Sequence, residues 1–121
     1  MFDIDFYRFS DGNAPVEEFL DGLEIKMRNK ALKSLLILQE FGNTLREPYS
    51  KPVGDGIFEL RIKFSSDISR IFYFFFADNK IILTNGFIKK TRKTPKSEIE
   101  LAKKYKADYE KKMDSKRGES K

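Results

Sequence analysis

The chain has 121 residues, 40% of them hydrophobic and 36% charged, with a net charge of +5. That is enough apolar surface for one core and too little for two. Cysteine and histidine are both absent, which excludes disulfides, thiolate metal sites and the commonest general base, so any catalysis must use carboxylates, Lys, Arg, Tyr or hydroxyls.

Charge is unevenly distributed. Residues 1–88 carry 11 Lys/Arg against 13 Asp/Glu, a net −2, whereas residues 89–121 carry 13 against 6, a net +7. A basic C-terminal third points to a polyanionic partner, either nucleic acid or an acidic protein. The N-terminus, MFDIDFYRF, is acidic and alternating, unlike a signal peptide. The longest apolar run, Ile71 to Ala77, falls far short of the roughly 20 residues of a membrane helix. A soluble, cytoplasmic protein with no membrane association is the expectation.

In chain order, Phe2, Ile4 and Phe6, then Tyr7 and Phe9, alternate with polar residues and predict a first strand ending at the turn signal SDGN. Asn13 is placed to cap a short helix with Pro15 in its first turn, followed by Glu17 and Glu18. A second helix is predicted over 23–41: Met27, Ala31, Leu35 and Leu38 form its stripe, Leu32 and Leu36 widen it, and Gly42 ends it. Residues 43–56, with two prolines and two glycines, read as a loop. Three strands follow, in IFELRIKF, SRIFYFFFA and IILTNGFIKK. A last helix begins near Thr94, a possible cap, with Pro95 at its first position and Ile99, Leu101, Ala102, Tyr105 and Tyr109 as its stripe. Residues 1–113 are expected to form one domain, and residues 114–121 a basic, disordered tail.

Register carries the functional argument. A two-residue loop at Ser65-Ser66 sets Arg61 opposite Arg70, on one face of the sheet. Either short turn in the next hairpin adds Lys89, so this face carries Arg61, Lys63, Arg70 and Lys89 with Glu59, Phe72, Asn85 and Phe87 among them. The same face is expected to bear Phe72, Phe74, Phe76 and Leu83, which need a covering helix or a partner. Opposed arginines destabilise a sheet unless an anion lies between them: a phosphate would meet that need, or else Glu59 pairs with one arginine and the rest of the face is solvated. Five cations crowd the strand exit, Lys89 itself with Lys90, Arg92, Lys93 and Lys96. Aromatics such as Phe87, interleaved with cations, can stack bases.

The blocks IFELRIKF, SRIFYFFF and NGFIKKTRKTPKSEIELAKKYKADY resemble the signatures of the RelE/ParE toxin superfamily, in particular its phage-related HigB-like branch. There the pattern runs as a Trp-Glu-Leu-Arg block, a Tyr-Arg block, then His-Gly-Phe-x-Lys-Lys-Thr-x-Lys-Thr-Pro. Two departures stand out: Phe58 in place of the Trp and Asn85 in place of the His, which removes a titrating group. The resemblance implies a compact α+β domain, two N-terminal helices on a twisted, mainly antiparallel sheet plus a C-terminal helix. It further implies the toxin of a type II toxin–antitoxin system, a metal-independent endoribonuclease (mRNA interferase) acting on mRNA at the ribosome. Its partner would be a cognate, HigA-like helix-turn-helix antitoxin, bound in a hetero-oligomer. No cofactor is implied.

Carried over by position, Arg61 and Arg70 match the arginines of the two blocks and Lys89, Lys90 and Lys93 the basic run; with the register and the charge cluster this makes Arg61, Arg70, Lys89 and Lys90 the catalytic candidates, and Lys63, Phe87, Arg92, Lys93 and Lys96 the RNA-binding ones. Cleavage by ribose 2′-OH attack needs a proton acceptor, cations for the phosphorane and a proton for the leaving oxygen. Arginines suit the second task. A lysine crowded by cations has a lowered pKa and suits the first or the third. Rival readings are a non-cleaving module that docks on RNA or the ribosome, a gyrase-poisoning toxin of the same superfamily, and a phage-derived protein that only pairs with its partner.

Overall fold

The computed structural model describes residues 1–90 and 92–119, with side chains through residue 116. It is an α+β fold of three helices and one five-stranded mixed sheet, the class the sequence predicts. The strands are β1 (Asp3–Phe6), β2 (Ser50–Gly54), β3 (Ile57–Phe64), β4 (Asp67–Phe76) and β5 (Lys80–Ile88), and the helices α1 (Pro15–Asp21), α2 (Ile25–Phe41) and α3 (Lys96–Glu119). Across the sheet the order is β1-β5-β4-β3-β2, with β1 parallel to β5 and every other pairing antiparallel.

Helices α1 and α2 close one face. Val16 and Leu20 of α1, and Met27, Ala31, Leu35 and Leu38 of α2, pack on Leu60, Ile62, Ile71, Tyr73, Ile81 and Leu83. Leu32 and Leu36 do not widen this stripe as expected, being 45% and 64% exposed. Each follows a core residue by one position, which turns it about 100° around the helix and away from the sheet. Gly42 ends α2 at φ +49, donating its N–H to Leu38 O. A Cβ there would sit 2.0 Å from the Phe2 ring, so side-chain-free backbone lets β1 lie against the helix end. The predicted Asn13 cap is not formed. Asn13 Nδ2 bonds the Asp11 carboxylate at 3.1 Å, and Ala14 occupies the cap position.

Strand β2 lies inside the segment that reads as a loop. Pro52 and Gly54 hide it, yet β2 is an edge strand, where a missing donor is tolerated, and a register shift falls between these two residues.

The β3–β4 register is the predicted one, Phe64 opposite Asp67 and Arg61 opposite Arg70. The β4–β5 hairpin differs. Its turn spans Ala77, Asp78 and Asn79, Phe76 pairing with Lys80, and an extra residue on β5 at Thr84-Asn85 forms a bulge facing Phe72. Below the bulge the pairing is Phe74 with Ile82, so Leu83 turns to the α1/α2 face and Ile82 takes the place expected for it. Above the bulge the count is restored and Arg70 pairs with Phe87.

Helix α3 covers part of the second face. Tyr109 packs on Phe74 and Ile82, Ala102 on Ile57 and Phe72, and Tyr105 stacks on Tyr7 at 4.6 Å. Tyr7 Oη donates to Asp108 at 2.6 Å, fixing α3 to the chain just after β1. The Thr94 hydroxyl does not cap this helix; it bonds Glu59 instead. The helix continues to Glu119, past Met113 where a disordered tail is expected to start, and residues 120 and 121 lie outside the described residues. Among the described residues no helix is long and apolar enough to cross a membrane.

Candidate nucleic-acid interface

The part of the second face beyond α3 carries the charge. In the sheet grid Lys51 of β2 pairs with Glu59 and Glu59 with Phe72; one step along, Arg61 pairs with Arg70 and Arg70 with Phe87. Directly paired residues share a face. Lys63 faces Ile68, and Lys89 N–H donates to Ile68 O at 2.8 Å, carrying the β4–β5 ladder one residue past β5.

The opposed arginines are reconciled from within. Glu59, 1% exposed, sets Oε1 at 2.8 Å from Arg70 Nε and 3.4 Å from Arg61 Nε, while its Oε2 accepts from the Thr94 hydroxyl at 2.5 Å. The Arg70 contact is ionic, its Nε–H not aligned for a hydrogen bond. An internal carboxylate therefore occupies the place where an outside phosphate is expected, because a lone arginine pair buried this deeply needs a permanent counter-charge. Arg70 is 6% exposed and Arg61 remains partly open, with Glu47 at 3.8 Å on its outer side.

A cleft of about 350 Å³ opens over this cluster, walled by Lys51, Pro52, Val53, Glu59, Arg61, Lys89, Arg92, Lys93, Thr94 and Ile99. Five cations meet there around one buried carboxylate. The Lys89 ammonium is held below the usual lysine range, first by partial burial and then by the charge of Arg70. Burial likewise lowers the Arg70 guanidinium, with Arg61 adding to the effect and Glu59 opposing it.

Of the residues expected to act, Arg61, Lys89, Arg92 and Lys93 thus come together in one cleft. Arg70 lies beneath it. Lys90 and Lys96 are exposed, and Lys63 is exposed one pairing position further along β3; among the described residues none of the three lines the cleft. Phe87 is half-buried and packs on Phe72 at 5.6 Å, so one side of its ring belongs to the core. Lys51 was not foreseen, since it stands in the strand disguised as a loop. Asn85 is 3% exposed at the bulge, with Nδ2 donating to Glu98 O at 3.1 Å and Oδ1 accepting from the Thr84 hydroxyl at 2.7 Å. It ties β5 to α3 and does not reach into the cleft wall.

Residues 18–107 match the family described as Phage derived protein Gp49-like (DUF891). The chain belongs to this family. Gp49-like proteins are members of the RelE/HigB-like toxin group, and the match runs from α1 across the whole antiparallel part of the sheet into α3. No curated protein matches the chain. In this Gp49-like chain the matched region contains every residue of the cationic cleft.

Proposed function

We propose that this Gp49-like protein is the toxin of a type II toxin–antitoxin system, a HigB-like endoribonuclease that cuts mRNA on the ribosome and is neutralised by a helix-turn-helix antitoxin. The observation that carries this reading is Arg61, fixed by Glu59 yet open to solvent, in a cleft where Lys51, Lys89, Arg92 and Lys93 converge. Such a site favours a polyanion with a phosphate at Arg61.

The chemistry follows from these groups. Arg61 and the lysine cluster stabilise the charge that builds on the phosphate as the 2′-OH attacks, an effect of about 3 kcal/mol for one well-placed donor. Lys89, with its lowered pKa, has a larger neutral fraction near pH 7 than an ordinary lysine, and takes the 2′ proton. Lys93, in the wall of the same cleft, returns one to the 5′ leaving oxygen. Arg70 acts as a positioning residue, holding Glu59, which in turn holds Arg61. Arg92, Lys96, Lys63 and Phe87 add contacts to flanking RNA.

The test is a map of new 5′ ends in cellular transcripts after brief induction of the wild type or the Arg61→Ala variant. New ends within translated regions, absent with the variant, are the expected result. Arrested growth without new ends would transfer the protein to a non-cleaving or gyrase-directed class.

A further inference from the structure

A second cleft, of about 360 Å³, adjoins the first, and Arg61 stands in the wall of both. Its character differs. Ile37, Pro48, Tyr49 and Ile68 give it an apolar lining, Lys30 and Lys63 join the two arginines at its walls, and no carboxylate is among its described lining residues. Tyr49 is the prominent group, 56% exposed in spite of its size.

Its ring is exposed but its backbone is fixed. The Tyr49 carbonyl accepts the Arg61 N–H at 2.8 Å, and the Tyr49 N–H donates to Arg46 O at 3.0 Å. The next residue, Ser50, is buried and hydrogen-bonded through its hydroxyl to Tyr73. An aromatic side chain on a fixed backbone beside a cation, and left open to water, gives up only its own rotamer freedom when a planar ligand stacks on it. Among planar ligands, one carried on an anionic chain fits Lys30 and Lys63, beside which no carboxylate is among the described lining residues, Glu59 and Glu47 being engaged with the arginines.

We propose that this cleft is a nucleobase subsite: the base adjoining the phosphate at Arg61 stacks on Tyr49, with Lys30 and Lys63 meeting the next phosphate. The inference rests on the reading of Arg61 as a phosphate contact. Two clefts sharing one arginine then span a nucleotide step, and Tyr49 contributes to which base lies beside the cut.

The experiment measures binding of short single-stranded RNAs, fully 2′-O-methylated so that they cannot be cut, either intact or with one abasic position moved along the strand. Tyr49→Ala should weaken binding of the intact RNA roughly tenfold, while Tyr49→Phe stays close to wild type. One abasic position should weaken the wild type by a similar factor and leave Tyr49→Ala unaffected, because the two changes remove the same contact. Unchanged affinity in Tyr49→Ala, or losses that add fully at every position, would overturn the subsite. So would RNA binding that ignores Tyr49 while an acidic polyglutamate peptide depends on it, which would assign the cleft to a protein partner. Cutting plays no part in this measurement. Coupled binding in a protein that makes no ends in cells would keep the subsite and remove the nuclease, and cutting without coupling would do the reverse.

Discussion

The two faces of the sheet are built on opposite principles. Under α1 and α2 the contacts are apolar, with Leu38, Leu60, Ile62, Ile71 and Leu83 each at most 1% exposed. Under α3 the cover stops short, and the remaining area holds two arginines around a buried glutamate at the floor of an open, basic cleft. The first face stabilises by burial alone. The second holds charges in place at a desolvation cost that only their mutual pairing offsets. The lesson is that Glu59, which looks like an obstacle to phosphate binding, is what allows Arg61 to stand ready in the absence of a ligand.

Removing that counter-charge should separate the two faces most strongly. Glu59→Ala takes from buried Arg70 the carboxylate that pairs with it and leaves Arg61 only Glu47 on its outer side, and should cost about 3–5 kcal/mol in urea unfolding. Leu38→Ala on the other face should cost about 3 kcal/mol through loss of burial and a residual cavity. Millimolar sulfate separates them. It should restore stability to Glu59→Ala, where an anion can enter between the arginines, and have little effect on Leu38→Ala. Equal rescue of both would show that the arginine pair is not a charge site of this kind.

A smaller effect is expected from pH. Because burial and Arg70 lower the folded pKa of Lys89, its protonated form is a cost to folding that is relieved as pH rises through that lowered value. The same depression means that cleavage, if Lys89 accepts the 2′ proton, climbs with pH and levels off below the ordinary lysine range of about 10.4. Lys89→Arg should flatten the profile. A profile unchanged in that variant would remove Lys89 from the proton-accepting role.

The smallest change concerns the edge where α3 is fastened. Tyr7→Phe deletes the hydrogen bond to Asp108, and since that carboxylate is 39% exposed the loss should be held to about 1 kcal/mol. The Tyr7 hydrogen bond, then Lys112, keep Asp108 below the usual carboxylate range. Their stabilisation is therefore present at neutral pH and is lost as pH falls through the lowered folded value, below about 3.9. Tyr7→Phe should lose less stability than wild type between neutral pH and pH 3, as followed by thermal melts.

Much of this arrangement was legible because a two-residue loop leaves little freedom in register. Counting outward from Ser65-Ser66 places Arg61 opposite Arg70, as found. Where the local rules have exceptions, the reading fails. The bulge at Thr84-Asn85 is signalled only by Gly86 beside it, which by itself fixes neither its place nor its direction, and it moves Leu83 to the other face. Pro52 and Gly54 are loop residues by composition, yet on an edge strand they hide Lys51, which lines the cleft. Thr94 has the chemistry of a cap, but a carboxylate distant in sequence takes its hydroxyl, a tertiary contact that no local pattern carries. Glu59 was visible among the cations. That it would be buried between two arginines became clear only with α3 and Thr94 in place.

Under the proposed function, the open, charged face cuts RNA through a 2′-OH attack organised by Arg61. This chemistry is tested most directly by incubating purified protein with translating ribosomes on a defined mRNA and identifying the new ends chemically. The expected cuts leave a 5′-hydroxyl and a 2′,3′-cyclic or derived 3′-phosphate, and are abolished in Arg61→Ala but retained in Leu38→Ala at a temperature where both remain folded. Cuts that persist in Arg61→Ala, cuts that leave 5′-phosphates, or intact mRNA with the wild-type protein would contradict that chemistry.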